Sequence, residues 1–234
     1  MGERTFDDFD EFALDYRAIH AKNIKLSGAD SYYFAEMKVK LLQQFEINES
    51  LQVLDVGCGD GATGIFMQQY FSQWMMKGID VSEKSIMEAK QKNILNAVFS
   101  VYDGIKIPVQ DNSVDVLFIA GVLHHINYNL HLPMVNEIAR VLKKNGRVYL
   151  YEHNPLNPVT RHLVNTCVFD KDARLLKSGY TAQLLRRAGL LITKKQFIVF
   201  FPRKGILSKF IFLEKYLQWL PLGGQYLIAA SKKG

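Results

Sequence analysis

From residue 51 onward, short apolar runs alternate with segments whose apolar residues recur at helical spacing. "LQVLDVG" predicts a buried strand and "ATGIFMQQYF" the helix that follows it. "WMMKGIDVS" predicts a second strand, and "EKSIMEAKQKN" a helix that Ser82 is placed to cap. "AVFSVYDG" and "SVDVLFIAGV" predict strands three and four. The unbroken apolar run of the latter suits a strand covered on both faces. "MVNEIARVLKKNG" reads as a helix stopped by glycine, and "GRVYLYEHN" as strand five. "TAQLLRRAGL" is a short helix, while "ITKKQFIVFFP" and "GGQYLIAAS" are late strands separated by the apolar stretch 206–220. Residues 1–50 predict two helices before the sheet. Such alternation implies a parallel sheet wrapped by helices, within one domain spanning 1–234. Its parts are a helical cap (1–50), a cofactor-binding core (51–155) and substrate-side insertions with the last two strands (156–234).

The first strand opens into "DVGCGDGA", where glycine density implies close approach of backbone to a ligand. Gly57, Cys58, Gly59, Asp60, Gly61 and Ala62 fit the spacing of a dinucleotide fingerprint, and Asp80 ends the second strand where an acid can accept from ribose hydroxyls. Two further acids separate NAD from other adenosine cofactors. Asp55 stands where a pyrophosphate would be repelled and an ammonium group welcome, or it braces the loop through backbone amides. Asp103 ends the third strand, where a carboxylate can accept from an adenine amino group. A cofactor with a positive end, a ribose and an adenine fits all three acids, and S-adenosylmethionine is such a molecule.

Composition narrows the picture. The 234 residues are 48% apolar and 22% charged, as in an ordinary globular protein. The start, "MGERTFDDFDEF", is acidic without an apolar core, so no secretory leader is expected, and two cysteines give no disulfide framework or metal spacing. The expected location is cytoplasmic, with the inner membrane face as an additional place. Residues 1–150 carry 15 Lys/Arg against 19 Asp/Glu, whereas residues 151–234 carry 14 against 4. That asymmetry points to an acidic partner for the last third, or to a solvated basic face.

"VLDVGCGDG", "GIDVS", "VYDGIKIP", "DNSVDVLFIAGVLHHI" and "EIARVLKKNGRVYLYEHNP" together resemble the successive motifs of class I S-adenosylmethionine-dependent methyltransferases, over residues 45–155. The resemblance implies a Rossmann-like, doubly wound α/β fold. Its seven-stranded sheet is mostly parallel with the last strand antiparallel, and a late apolar helical insertion is added. It further implies Gly57, Cys58, Gly59 and Gly61 against the methionine moiety and ribose, with Asp55 near the amino group. Asp80 with Val81 would bind the ribose hydroxyls and Asp103 with the Gly104 amide the adenine, while Ala120 and Gly121 would line the methionine side. Tyr16 resembles the aromatic that closes the cofactor pocket, although Phe9, Phe12 and Tyr16 also fit a packing stripe. The segment "EHNPLNPVTRHLVNTCVFDKDARLL" resembles an uncharacterised bacterial branch of the family.

His124 and His125 follow strand four and are candidate general bases, with His125 favoured, or they are a common helix-start pattern. Tyr16 is a third candidate for the chemistry. Glu152, His153 and Asn154 end strand five and are expected to order substrate or cap the next loop. Arg161, Lys171 and Arg174 are candidates for an anionic acceptor group, or surface cations paired with Asp170 or Asp172.

Strand four lacks the Asn/Asp-Pro-Pro-aromatic pattern of base-modifying enzymes, which argues against nucleic acid as partner. The stretch 206–220, "ILSKFIFLEKYLQWL", is apolar nearly all round. Burial against the sheet or a dimer partner is the favoured expectation, and a lipid-facing helix the alternative. The expected activity is methyl transfer to the oxygen or nitrogen of a small-molecule acceptor, anionic, glycosylated or lipid-linked, by a monomer or homodimer. A catalytically silent cofactor-binding regulator or partner subunit is the competing reading.

Overall fold

The computed structural model describes residues 31–167 and 173–234. Tyr16, with the rest of residues 1–30, and Lys171 with its two aspartates lie outside the described residues. One of the expected N-terminal helices is α1 (Ser31–Leu42). Then come β1 (Gln52–Val56), α2 (Ala62–Tyr70), β2 (Met75–Asp80), α3 (Glu83–Gln91), β3 (Ala97–Val101) and β4 (Val114–Ala120). A 3-10 turn at Leu123–His125 leads into α4 (Tyr128–Val141) and β5 (Leu142–His153). The chain closes with α5 (Pro158–Thr166), α6 (Ser178–Arg187), β6 (Leu190–Ile198), a 3-10 stretch (Ile206–Leu213), α7 (Glu214–Leu217) and β7 (Gln225–Lys232).

The seven strands form one sheet in the order β3-β2-β1-β4-β5-β7-β6. All neighbours are parallel except β7, which runs antiparallel to both β5 and β6. The expected doubly wound sheet with one reversed strand is therefore present. Its strand order reverses between β1 and β4, which pair from Val53 with Val116 to Val56 with Ile119. That is where ligands of open parallel sheets bind.

The central strands carry apolar residues on both faces because both faces are covered. Leu54, Val56, Leu117, Ile119, Val148 and Leu150 pack on the face that carries α4 and α6. Val53, Val116, Phe118, Tyr149 and Tyr151 pack on the opposite face with α1 and α2. Strand parity therefore directs Asp55, between Leu54 and Val56, to the α1 face, and Glu152 to the α4 face. Ser82 caps α3 as its sequence implied, its hydroxyl accepting from the Ser85 amide at 3.1 Å.

Two boundaries differ from the sequence-based expectation. Helix α4 stops at Val141 rather than running through Lys144, because Leu142 already pairs with Val114 in the sheet. The stretch 206–220 is mostly 3-10 rather than α-helical, and neither Ile206–Leu213 nor α7 has a buried residue. Burial against the sheet is thereby overturned. Glu214 accepts from the Phe200 and Phe201 amides at 2.8 and 3.0 Å.

The linker between α1 and β1 is anchored by one buried acid. Glu46 accepts from both Nε and Nη2 of Arg147, each at 2.6 Å, and from the Tyr149 hydroxyl at 2.5 Å. A forked guanidinium–carboxylate contact of this kind fixes direction as well as distance. It holds α1 against β5, and α1 brings a cation to the site described next.

Candidate active site

The loop after β1 turns back on itself through glycines in the left-handed region. Gly57 has φ +71° and Gly59 φ +53°. The two carry different burdens. A Cβ on Gly57 would lie 2.3 Å from Cγ2 of Val122, whereas one on Gly59 would meet nothing within 4 Å. Gly57 is demanded by packing and Gly59 leaves an open floor. Gly57→Ala is expected to lose about 2–4 kcal/mol of stability through overpacking and left-handed strain. Gly59→Ala should lose only about 1 kcal/mol and instead place a methyl group in the ligand's path. Urea unfolding of both variants, beside cofactor titration of Gly59→Ala, checks the contrast.

Asp80 ends β2 beside this floor. Its Oδ2 accepts from the Gly59 amide at 2.8 Å and its Oδ1 from the Ser82 amide at 2.9 Å. The carboxylate is thus fixed in orientation by the loop and by the start of α3, with Val81 beside it only partly exposed. Asp103 is exposed, and its Oδ1 accepts from the amides of Ile105 and Lys106, both at 2.9 Å. Those two amides hold its carboxyl below the usual range. Cys58 is buried under the loop, where burial pushes its thiol far up and makes it inert.

Asp55 is the least comfortable residue of the site. It is 2% exposed, and its Oδ2 is buried with no hydrogen-bond partner. Among the described residues no backbone amide braces it, which speaks against the loop-bracing reading. Burial, with a smaller contribution from the charge of Asp80, pushes its carboxyl up to about 7, against a downward pull from Lys38. Lys38 lies on α1. Burial pulls its amine down to about 8, although the negative charges of Glu152 and Asp55 act the other way. The side chain as a whole retains some exposure, so it is the amine end that the protein surrounds.

Beyond β4, Ala120 and Gly121 lead into the turn that carries both candidate histidines. His124 is 3% exposed, and its Nδ1 lies 2.5 Å from Oε2 of Glu152. The other oxygen, Oε1, accepts from the Leu123 amide at 2.8 Å. Burial raises the Glu152 carboxyl, but the charge and hydrogen bond of His124, the charge of His153 and the Leu123 amide together hold it below the usual range. A Cβ on Gly121 would lie 3.6 Å from Cε1 of His124, so the imidazole borders the glycine at the end of β4. His125 is only partly exposed, and its ring centre lies 4.1 Å from that of His124 with the planes tilted by 44°.

The turn is braced by a residue the sequence did not single out. His131 on α4 is fully buried, with Nε2 at 2.9 Å from the carbonyl oxygens of both Leu123 and Ile126. A nitrogen facing two carbonyls donates, while Nδ1 faces the Tyr180 hydroxyl at 3.0 Å. Asn154 proves to be a brace as well. It is 1% exposed, and its Nδ2 donates to the carbonyls of Pro221 and Gly223 at 3.1 and 2.7 Å. Of the proposed anion-binding cations, Arg174 lies 5.9 Å from the centre of the Tyr128 ring, while Arg161 is exposed on α5.

The sheet edge thus holds a glycine floor, an oriented acid, an unpaired buried acid, an amine and a carboxylate-held imidazole. The open floor and the orphaned Asp55 oxygen fit a ligand with a ribose and a positive end. They fit a pyrophosphate poorly, since the acids Asp55 and Asp80 lie close enough at this loop to act on each other's charge.

A family model described as a methyltransferase domain matches residues 53–146. An uncharacterized protein of Methanocaldococcus jannaschii is 25% identical over 207 residues, which are 88% of this chain and 84% of that protein. The 27-O-demethylrifamycin SV methyltransferase of Amycolatopsis mediterranei is 33% identical over 104 residues, covering 42% of this chain but only 37% of that enzyme. Phosphoethanolamine N-methyltransferase 2 of Haemonchus contortus, solved with S-adenosyl-L-methionine, has the same fold. It superposes with a TM-score of 0.68 at 18% identity, covering 100% of this chain and 61% of that one.

Proposed function

We propose that this chain, a class I S-adenosylmethionine-dependent methyltransferase, methylates an oxygen or nitrogen atom of a small-molecule acceptor at the edge where β1, β4 and β5 end. The observation that carries this reading is the buried, unpaired Asp55 oxygen on β1, next to the glycine loop, with the Glu152–His124 pair at the ends of β5 and β4. When bound, S-adenosylmethionine supplies a methyl group on a positively charged sulfur.

In this reading Gly57, Cys58, Gly59 and Gly61 line the methionine and ribose. Asp80, oriented by two amides, meets the ribose hydroxyls, with Val81 alongside. Asp103 and the Gly104 amide meet the adenine, and Ala120 and Gly121 line the methionine side. Asp55 receives the ammonium group. Tyr16 keeps the role of pocket-closing aromatic.

Much of the rate comes from holding the acceptor atom in line with the methyl group. A base is needed only for an acceptor that must lose a proton. His124 is better placed for that task than His125, because Glu152 fixes its ring and stabilises the imidazolium formed when the proton arrives. Among proteins similar to this chain, one is named for an O-demethylated rifamycin, one for an amine nitrogen and one for a sterol carbon. Their difference does not choose between oxygen and nitrogen, and both stay in the proposal.

The test is transfer of a labelled methyl group from S-adenosylmethionine into cell-extract small molecules, read by mass. Wild type should label one or a few compounds, and His124→Asn should lose labelling by about 100-fold or more while binding cofactor normally. Equal labelling by the variant would remove His124 from the mechanism. No labelling by wild type, across polar and lipid extracts, would favour the silent cofactor-binding reading.

A further inference from the structure

Between β6 and β7 the chain presents apolar side chains to solvent without burying one of them in Ile206–Leu213 or α7. Ile206 is 76% exposed, Trp219 75%, and Phe212 and Tyr216 63% each. The Leu222 carbonyl accepts from Nδ2 of Asn157 at 2.6 Å, which brings the exposed Leu222 and Val159 to the same corner. So many large apolar side chains exposed within one run mark an interaction site.

Its charge identifies the partner. Arg203, Lys204, Lys209 and Lys215 are all exposed within the same run. The one acid between residues 199 and 224 is Glu214, and its carboxylate is turned to the Phe200 and Phe201 amides. Arg203 shares its charge with Glu36 and Tyr33 on α1. Exposed Trp, Tyr, Phe and Ile interleaved with Lys204, Lys209 and Lys215 nonetheless match the membrane interface, where rings sit at headgroup depth and cations meet lipid phosphates. No helix among the described residues is long and apolar enough to cross a membrane, so contact of this kind is peripheral.

Position links the patch to the site. Gln225 pairs with His153 at the end of β5 and with Ile198 at the end of β6, so the run leaves and returns at the edge that holds Glu152. Arg203 lies 3.9 Å from the centre of the Tyr33 ring on α1, the helix that carries Lys38. The patch therefore borders the site.

We propose that residues 203–222 dock the protein on an anionic lipid surface and bring a lipid-borne acceptor to the site. The acceptor class rests on the proposed methyl transfer, whereas the docking does not.

Co-sedimentation with phosphatidylcholine vesicles, with and without phosphatidylserine, tests it. Wild type should pellet with the anionic vesicles and be released by salt. Lys204→Glu/Lys209→Glu/Lys215→Glu should weaken vesicle affinity by about 100-fold or more, at roughly fivefold for each cation removed. Phe212→Ser/Trp219→Ser should weaken it by about tenfold or more. All five side chains are exposed, so both variants should unfold at the wild-type temperature and bind S-adenosylmethionine unchanged. Wild type that stays in the supernatant, or variants that pellet as well as wild type, would overturn the docking. Wild type that elutes as a dimer, with Phe212→Ser/Trp219→Ser monomeric, would assign the patch to a second copy instead. Cofactor binding without vesicle binding would leave the methyltransferase reading standing and remove only the lipid.

Discussion

Asp55→Asn is expected to unfold at a higher temperature than wild type at pH 8 and to bind S-adenosylmethionine about tenfold or more weakly. Both effects come from one carboxyl group. Asp55 is buried without a partner, and its carboxyl is pushed from 3.8 up to about 7. The folded protein therefore holds this proton more tightly than the unfolded chain does. Between the two values, stability falls as pH rises, and above about 7 the full penalty is present.

At about 1.4 kcal/mol per pH unit, that penalty is at most roughly 4 kcal/mol, before solvent relaxation reduces it. Asparagine removes the charge and with it the slope. The gain is partly offset, because Lys38 loses an anionic neighbour. A bound ammonium group should draw the Asp55 carboxyl back down, so cofactor binding near neutral pH releases a proton and strengthens as pH rises towards 7. Thermal unfolding at pH 5.5 and pH 8, with calorimetry in buffers of different ionisation enthalpy, reads both consequences. A variant that is destabilised at pH 8 and keeps full affinity would show that Asp55 is structural.

Glu152→Ala should produce the largest loss of stability in the site, about 3–5 kcal/mol. The substitution strands the buried His124 ring and leaves the Leu123 amide without its acceptor. Glu152→Gln should be milder, because an amide oxygen can still accept from Leu123. It should nonetheless lower methyl transfer by about 100-fold or more to an acceptor that must lose a proton, with cofactor affinity little changed.

The pH dependence has the opposite sign to that of Asp55. The folded Glu152 carboxyl lies below its ordinary value, so its stabilisation is complete above the usual carboxylate range. It is lost as pH falls through the lowered folded value. Acid unfolding of Glu152→Gln, followed by circular dichroism, should therefore be less steep than that of wild type. Equal steepness would mean that another carboxylate controls acid unfolding.

The sheet was legible because each central strand is apolar on both faces and each helix shows its own period. The reversed last strand followed from the family resemblance, and the structure has it in β7. Asp80 and the glycine loop were legible for a related reason, since both lie at strand ends fixed by the same periodicity.

What the sequence withheld depends on tertiary proximity. Lys38 is one lysine on an ordinary helix, and only the packing of α1 sets its amine near Asp55 and Glu152. Glu152 and His124 are 28 positions apart, and the parallel pairing of β4 with β5 brings their strand ends together. His131 looks like any helical histidine until the carbonyls of the preceding turn are seen to converge on it. In 206–220 the apolar residues were read at a helical period, but the 3-10 geometry and the exposure follow from how the two late strands hold the ends of the run.

The measurement that bears most directly on the account is calorimetric titration of wild type and Asp80→Ala with S-adenosylmethionine, S-adenosylhomocysteine and NAD. Wild type should bind the first two and not NAD, and Asp80→Ala should lose about 10–100-fold in affinity for both, as expected when hydrogen bonds to a charged group are removed. NAD binding by wild type, or undiminished binding of S-adenosylmethionine by Asp80→Ala, would contradict it.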